Sequence, residues 1–144
     1  MTPPTPHVID LRVHGDDRGR LVALQQGDGA LDFEVARVYW IYGVPSDESR
    51  GAHAHHATRQ LMVALSGGLD MVFDNGFGTA RVRLEAPSRA LVIPAMEWHV
   101  MENVSPGTVA MVLASQPYEE SDYIRDYESF LALTRRPEDD GATR

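Results

Sequence analysis

The 144-residue chain contains no cysteine and no lysine. The absence of cysteine excludes disulfide bonds, thiolate metal ligands and cysteine nucleophiles. The absence of lysine excludes Schiff-base chemistry on a lysine amine and covalent attachment of pyridoxal phosphate. All 13 basic residues are arginines, so local arginines would have to hold any anionic ligand.

Basic charge and long apolar runs are also scarce. The formal net charge is −8, whereas nucleic-acid binding requires a basic surface that neutralises phosphates. No N-terminal apolar stretch is typical of a signal peptide, and no segment approaches the roughly 18 apolar residues of a transmembrane helix. We therefore expect a cytoplasmic protein that binds neither nucleic acid nor a membrane.

The motifs of several common enzyme classes are missing as well. The sequence has no G-x-G-x-x-G, no P-loop and no G-x-S-x-G. Dinucleotide binding, NTP hydrolysis and α/β-hydrolase chemistry therefore have no support.

The length corresponds to a single domain. Residues 1–7 include the Pro/Thr-rich stretch MTPPTP and are predicted to be an extended or disordered lead-in. Residues 8–135 are predicted to form the domain, and residues 136–144 a polar tail.

Short strand-like runs separated by turn residues dominate the chain. The clearest are HVIDLRV, RLVAL, FEVARVYWIY, RQLMVALS, LDMVF, ARVRLE, RALVIP, EWHVMENV and TVAMVLAS. This pattern predicts an all-β sandwich or barrel. LDMVF is predicted to form hairpins with RQLMVALS across GG and with ARVRLE across DNGFGT. Only residues 122–135 have helical spacing, with Tyr123, Tyr127 and Phe130 on one side.

Three of the six histidines fall within four positions of the stretch RGAHAHHATRQ, residues 50–60. Side chains two apart share a face of a strand, so His53 and His55 should point the same way and His56 the opposite way, toward solvent. Imidazoles need hydrogen-bond partners when they are buried, which makes them a poor filling for an apolar interior. The H-x-H pair therefore favours a functional role.

The spacing of this stretch and of a later one resembles the two motifs of cupins, which lie on strands of a small double-sheet jelly roll. The matching residues are Gly51, His53, His55, Gln60 and Gly67 in the first motif, and Pro94, Met96, His99 and Asn103 in the second. Metal-dependent cupins carry Glu at the position of Gln60. An amide coordinates a divalent cation more weakly than a carboxylate does.

Six segments carry a wider resemblance: DDRGRLVAL, RVYWIY, SRGAHAH, LVIPAMEWHVME, AMVLAS and YEESDYIRDYESF. They follow one another as they do in the sugar 3,4-ketoisomerases that act on dTDP-4-keto-6-deoxyglucose, which are small WxcM-like cupins. The likeness covers about residues 8–130. Two positions depart from the family pattern: Ala52 replaces an aromatic residue, and Trp40 replaces a common second Tyr.

This resemblance implies a cupin-type double-sheet jelly roll with a short C-terminal helix. It implies conversion of dTDP-4-keto-6-deoxyglucose to a dTDP-3-keto-6-deoxyhexose through an enediolate, with no metal and no cofactor. Imidazole suits this chemistry because its ordinary pKa lies near neutrality. The resemblance also implies a homodimer that exchanges N-terminal strands.

The resemblance further implies a role for each site residue. The expected catalytic residues are His53 as the base, with His55 and Tyr39 orienting the sugar or donating to the enediolate oxygen. The expected substrate-binding residues are Arg18, Arg50, Gln60 and His99. The spacing alone does not rank His53 above His55. The combination of Arg18 and His99 is similar to that of family members that form the galacto product.

Other functions stay open when only the residues are considered. One is a metal-dependent cupin oxygenase or isomerase with the ligands His53, His55, Gln60 and His99. Another is a non-catalytic sugar- or effector-binding cupin, which the crowding of three titratable imidazoles disfavours. An epimerase of the RmlC kind is disfavoured because the sequence shows no matching His–Asp arrangement.

Overall fold

Strands make up most of the secondary structure in the computed structural model, which describes residues 5–134. The strands are β1 (His7–Asp10), β2 (Val13–Asp16), β3 (Gly19–Val22), β4 (Arg37–Tyr42), β5 (Arg50–His55), β6 (Gln60–Ser66), β7 (Leu69–Asp74), β8 (Thr79–Leu84), β9 (Arg89–Ile93), β10 (Trp98–Glu102), β11 (Val109–Ala114) and β12 (Tyr123–Ile124). A 3-10 turn spans Glu120–Asp122, and helix α1 spans Tyr127–Thr134.

The strands form two five-stranded antiparallel sheets and one separate hairpin. The first sheet has the order β1-β9-β6-β11-β4, and the second has the order β12-β5-β10-β7-β8. Strands β2 and β3 pair only with each other. The prediction of an all-β, double-sheet jelly roll with a short C-terminal helix is confirmed.

The pattern of burial along β4 shows how the two sheets meet. Tyr39 and Ile41 point inward and pack on the core between the sheets, whereas Val38, Trp40 and Tyr42 point outward and are exposed. This alternation follows from the pleat of a strand, which sends successive side chains to opposite faces. The interior between the sheets is lined by apolar side chains that include Met62, Leu69, Met71, Phe73, Leu91 and Met101.

Strand β6 lacks this alternation because both of its faces are covered. Met62 faces the core between the sheets, and Leu61 and Val63 belong to a second apolar cluster. Leu31 and Phe33, from the segment before β4, complete that second cluster. A strand covered on both faces is continuously apolar, which accounts for the run LMVAL.

One of the two predicted hairpins is correct and the other is wrong. β7 and β8 pair from Leu69↔Leu84 to Asp74↔Thr79, as expected. β6 and β7 lie in different sheets, so the GG link crosses the edge of the sandwich. The Gly68 N–H donates to the hydroxyl of Thr108 at 3.0 Å. This side chain takes the place of the backbone carbonyl that a partner strand would supply. A Cβ at Gly67 would lie 2.8 Å from the Cα of Thr108, so glycine is required at this crossing.

The predicted helix over residues 122–135 begins too early. The observed helix α1 starts at Tyr127, and Tyr123 lies in β12, where it pairs with His55. Tyr123 shares the helical spacing of Tyr127 and Phe130, so the spacing alone did not separate it from the helix. Its strand conformation comes from pairing with β5, which is distant in sequence. Phe130 is buried and packs near Ala54 and Ile124, so α1 covers the outer face of β5.

Strand β1 begins at His7, the last residue of the predicted lead-in. Residues 1–4 of that lead-in and the predicted polar tail 136–144 lie outside the described residues. Within residues 5–134, no helix has the length and apolar character of a transmembrane span.

Candidate active site

Three histidines meet inside the sandwich, on neighbouring strands of the second sheet. His53 and His55 lie on the inward face of β5, and His99 lies on the inward face of β10, where it pairs with His53. His56 is exposed, as predicted. The ring centroid of His53 lies 4.8 Å from that of His55 and 4.7 Å from that of His99. The two-residue period of a strand thus brings the H-x-H pair together with a third imidazole.

A β-bulge beside the histidines sets the direction of the chain. Three residues of β10, from His99 to Met101, face four residues of β5, from His53 to Arg50. Gly51 within this bulge has φ = 77°, a conformation that strongly favours glycine. Bulges of this kind bend a strand and redirect its side chains. This one lies at Arg50, Gly51 and His53, the three residues of β5 that line the cavity.

Burial holds the three imidazoles in their neutral form at neutral pH. Burial, with the like charges of His99 and His55, lowers the pKa of His53 to about 3. Burial also lowers the pKa of His55 to about 4 and that of His99 to about 4. The Nδ1–H of His99 donates to the Glu97 carbonyl at 3.0 Å. A neutral imidazole carries an unprotonated nitrogen, so each of these rings is able to accept a proton.

His53 lines an open cavity of about 520 Å³ at the edge between the two sheets. The residues that line it are Arg37, Tyr39, Trp40, Ile41, Arg50, Gly51, His53, Tyr118, Tyr123 and Arg125. Among residues 5–134, this lining includes three arginines and no carboxylate. Although the whole chain is acidic, the cavity therefore favours an anionic ligand.

Tyr39 and Gln60 form a polar pair on the first sheet. The Gln60 side-chain amide donates to the Tyr39 hydroxyl at 2.6 Å. Gln60 is buried, and burial raises the pKa of Tyr39 to about 12. Tyr39 is therefore a neutral phenol at neutral pH, and its O–H remains available to donate to a ligand oxygen.

The segment of residues 118–126 forms a wall over the histidines. The ring centroid of Tyr123 lies 4.5 Å from that of His55 and 5.1 Å from that of His53. Asp122 anchors the wall: its carboxylate accepts from the Ala57 N–H at 2.8 Å and from the N–H and hydroxyl of Thr58. Asp122 therefore positions Tyr123 through contacts to the residues that follow His55.

The structure brings six of the seven predicted site residues together and leaves one outside. Five of the six have been described above, and Arg50 lines the same cavity. Arg18 lies in the turn between β2 and β3, where it pairs with Asp16 at 2.6 Å and its side chain is 89% exposed. Arg18 does not line the cavity of its own chain.

The arginines and tyrosines of the cavity that were not predicted from the sequence are Arg37, Tyr118, Tyr123 and Arg125. Two signals pointed to some of them. Arg37 is two residues before Tyr39 and so shares its face of the strand. Tyr123 and Arg125 lie within the segment YEESDYIRDYESF, which carried the family resemblance.

The three imidazoles are close enough to be considered as metal ligands. One nitrogen from each of His53, His55 and His99 lies within 4.8 Å of the others. Gln60, the fourth ligand in the metal hypothesis, is hydrogen bonded to Tyr39. No carboxylate belongs to this cluster within residues 5–134, so a divalent cation bound here would keep its full charge.

Comparison with known proteins identifies the family. Residues 5–135 match the family described as "FdtA: WxcM-like, C-terminal". The chain belongs to this family. It is 37% identical over 123 residues to a TDP-4-oxo-6-deoxy-alpha-D-glucose-3,4-oxoisomerase of Aneurinibacillus thermoaerophilus, covering 85% of this chain and 88% of that protein.

Solved structures agree with the family assignment. A 3,4-ketoisomerase from Helicobacter canadensis superposes with a TM-score of 0.86 at 35% identity, covering 90% of this chain and 96% of that one. A mutant of the 3,4-ketoisomerase QdtA from Thermoanaerobacterium thermosaccharolyticum, in complex with TDP-4-keto-6-deoxyglucose, also gives a TM-score of 0.86, at 29% identity. It covers 90% of this chain and 93% of that one. The region matched by the FdtA-type family includes every residue of the cavity.

Proposed function

We propose that the protein is a sugar 3,4-ketoisomerase that converts TDP-4-keto-6-deoxyglucose to a TDP-3-keto-6-deoxyhexose. The observation that carries the proposal is a neutral imidazole, His53, on the wall of an arginine-lined cavity that also contains the phenol of Tyr39. Membership of a family whose relatives are 3,4-ketoisomerases supports the same reaction.

The reaction moves a ketone from C4 to C3 of the sugar and is balanced by two proton transfers. A base removes the proton on C3, which the C4 carbonyl acidifies, and an enediolate forms. A proton then returns to C4, the C3 hydroxyl loses its proton, and the C4 oxygen becomes a hydroxyl. Neither an electron acceptor nor a hydride carrier is needed, and a well-placed general base contributes roughly 10² to 10⁴ in rate.

The accessibility of the histidines supports His53 as the base. His53 lines the open cavity, whereas His55 is 2% exposed and lies behind Tyr123. A negatively charged substrate and the developing enediolate both raise the pKa of an adjacent imidazole. They would therefore bring His53 from its low pKa in the free protein toward the range in which proton transfer is efficient.

The neighbouring side chains suit the supporting roles. Tyr39 is a neutral phenol fixed by Gln60 and is placed to donate to the enediolate oxygen. His55 has a buried Nε2 with no hydrogen-bond partner within residues 5–134, and we assign it to a sugar oxygen. Arg50 is the main group proposed for the diphosphate, and Gln60 and His99 line the narrow inner end of the site.

The test is incubation of metal-stripped protein with TDP-4-keto-6-deoxyglucose in deuterated water. Wild-type protein should form the 3-keto product and exchange the C3 proton for deuterium. His53→Asn should abolish both product formation and exchange, whereas His55→Asn should lower turnover and retain some exchange. Full C3 exchange in His53→Asn would exclude His53 as the base.

The same experiment decides between the ketoisomerase and the metal-dependent alternative. Activity that returns only when Fe, Mn or Zn is added would assign His53, His55, Gln60 and His99 to metal binding. Binding of the sugar nucleotide without turnover or exchange would indicate a non-catalytic cupin.

We also propose, from the identities of Arg18 and His99, that the product has the galacto configuration. NMR of the product decides this, because an equatorial C4 hydroxyl would contradict it. Arg18 lies outside the cavity of its own chain. Its proposed role in substrate binding therefore requires that a second copy bring its β2–β3 hairpin to the site.

We also propose that the protein forms a homodimer that exchanges N-terminal strands and that it is located in the cytoplasm. The outward face of β4 supports association, because Val38, Trp40 and Tyr42 are 48%, 62% and 72% exposed. An isolated two-stranded hairpin such as β2–β3 is only marginally stable in water, which also favours a partner. Light scattering that gave the monomer mass of 15.9 kDa at micromolar concentration would contradict the dimer.

A further inference from the structure

Between β5 and β6 the chain crosses from the second sheet to the first, and this crossing joins two parts of the site. Residues 56–59 form the crossing. His55, one of the three clustered imidazoles, immediately precedes it. Gln60, which donates to the Tyr39 hydroxyl at 2.6 Å, immediately follows it. The conformation of these four residues therefore sets the position of the imidazoles relative to the Tyr39–Gln60 pair.

Every backbone N–H of the crossing is bonded to a residue from a later part of the chain. Asp122 accepts from the first three. Its backbone carbonyl accepts from His56 at 2.9 Å, and its carboxylate accepts from Ala57 at 2.8 Å and from Thr58 at 3.2 Å. The Ser115 hydroxyl accepts from the fourth N–H at 2.8 Å. A single residue, Asp122, thus holds three consecutive residues of the crossing.

The contact between Asp122 and Thr58 is the most buried part of this arrangement. Thr58 is 2% exposed, and its hydroxyl also donates to the Asp122 carboxylate. Burial raises the pKa of the Asp122 carboxyl, but the hydrogen bonds from Thr58 and Ala57 outweigh burial and lower it below its usual value. The carboxylate is therefore ionised at neutral pH, and hydrogen bonds to an ionised acceptor are the stronger kind.

The segment that carries Asp122 has a second, independent anchor. Ile124 and Phe130 are buried against Ala54, and β12 pairs with β5 along the backbone. This apolar contact does not involve the Asp122 carboxylate. Loss of the carboxylate should therefore release the crossing while β12 and α1 stay in place.

We infer that Asp122 is a positioning residue, whose carboxylate fixes the crossing and thereby the position of the His53 imidazole relative to the Tyr39 phenol. The inference rests on the proposed function, in which the base and the group that donates to the enediolate oxygen lie on different sheets. Asp122 does not line the cavity, so it acts through other residues. A misplacement of about 1 Å that arises far from the reacting atoms can lower a rate roughly 100-fold.

The test compares wild-type protein with Asp122→Asn, Thr58→Val, Thr58→Ser and Asp74→Asn. For each protein, kcat and KM are measured with TDP-4-keto-6-deoxyglucose, and the imidazole signals are recorded by NMR without ligand. Asp74 is the matched control, because its carboxylate also accepts one backbone N–H, from Gly76 at 2.8 Å, and one hydroxyl, from Tyr127. These contacts lie outside the cavity.

Asp122→Asn should lower kcat roughly 10- to 100-fold and change KM less than about threefold, because the wall and the cavity arginines stay in place. Thr58→Val keeps the Asp122 charge but loses the hydroxyl, and it should lower kcat at least about threefold. Thr58→Ser keeps the hydroxyl and should retain wild-type kcat. A packing role for Thr58 would give the reverse order, because serine lacks the buried methyl group. Asp74→Asn should turn over as wild type does.

The NMR measurement does not depend on the substrate. The imidazole signals of His53 and His55 should move in Asp122→Asn and in Thr58→Val, and they should keep their wild-type positions in Asp74→Asn. Unchanged signals in Thr58→Val would reject the inference. If wild-type protein does not convert the keto sugar, the proposed function is contradicted, and the imidazole signals alone then decide whether Asp122 positions the site.

Three kinetic results would overturn the inference: wild-type kcat in Asp122→Asn, an equal loss of kcat in Asp74→Asn, or a loss confined to KM. A loss in Asp122→Asn with wild-type kcat in Thr58→Val would also overturn it, because the charge of Asp122 and not its contacts would then matter. If Asp122→Asn does not fold, the two Thr58 variants decide. A lower kcat in Thr58→Val than in Thr58→Ser supports the inference, and equal values reject it.

Discussion

Arginines on the outer face of the second sheet and arginines in the cavity have opposite surroundings. On the outer face, Arg81 lies 2.9 Å from Asp70, and Arg83 lies 3.3 Å from the same carboxylate. In the cavity, neither Arg37 nor Arg50 forms an ion pair within residues 5–134. The outer-face arginines are thus balanced by the chain itself, whereas Arg37 and Arg50 of the cavity have no counter-ion among the described residues; the third cavity arginine, Arg125, pairs with Glu120.

The same contrast appears in the groups that titrate. On the outer face, hydrogen bonds from Asn103, Arg81 and Arg83 outweigh burial and lower the pKa of Asp70, so the charged form is favoured. In the cavity, burial lowers the pKa of His53, so its neutral form is favoured. The outer face of the second sheet stabilises charged groups in pairs. The cavity disfavours protonation of His53 until an anion enters.

The largest expected effect is a loss of stability between pH 6.5 and pH 4. Burial lowers the pKa of His99 from 6.5 to about 4, so in this window the unfolded chain binds a proton that the folded chain does not. The free energy of unfolding then falls as the pH falls, by roughly 3 kcal/mol for this group alone. Urea unfolding measured at intervals from pH 7 to pH 4 should show this decline.

His99→Gln provides the control for that measurement, because it removes the titrating group. Its stability should depend less on pH between 6.5 and 4 than that of wild type. An equally steep dependence in the variant would assign the effect to other groups. The Asp70 carboxylate has a lowered pKa, so its stabilisation should be lost only at lower pH, as the pH falls through that pKa.

The second effect concerns binding. Arg50→Ala should weaken TDP affinity roughly tenfold or more, because it removes hydrogen bonds to a charged ligand. Arg81→Ala should leave TDP affinity unchanged, since Arg81 pairs with Asp70 and Glu102 on the outer face. Calorimetric titration of both variants provides the comparison. Equal losses in the two variants would remove the distinction between cavity and outer-face arginines.

The smallest effect concerns the stability of the outer face. Asp70→Ala should lower the free energy of unfolding by about 1–2 kcal/mol, because its partners Arg81, Arg83 and Asn103 lose a shared acceptor. Asp10→Ala, which breaks one exposed pair with Arg89, should change it by less than about 0.5 kcal/mol. TDP affinity should stay at the wild-type value in both. Weaker TDP binding in Asp70→Ala would show that the two regions are coupled.

The sequence predicted those features of the site that depend on local periodicity. The shared face of His53 and His55 follows from the two-residue period of a strand, and the exposure of His56 follows from the same rule. His99 joins them through pairing between β5 and β10, which no local pattern specifies. Its place in the site came from the cupin resemblance alone.

The errors in prediction have a common physical origin. Tyr123 has helical spacing with Tyr127 and Phe130, but backbone bonds to β5 hold it in a strand. The link at Gly67 looked like a hairpin turn, but β6 and β7 find their partners in different sheets. In both cases tertiary pairing outweighed local preference. Arg37 was missed because its importance depends on the absence of nearby carboxylates, which is visible only in three dimensions.

Residues 118–126, which form the wall, follow β11 in the chain and are therefore synthesised after the strands that carry the histidines. A nascent chain that has emerged through β11 already contains His53, His55 and His99, together with every strand of the two sheets except β12. Tyr118, Tyr123 and Arg125 are synthesised afterwards. During translation, the histidines are therefore in the chain before the segment that shields them from water, and the cavity receives its aromatic wall last.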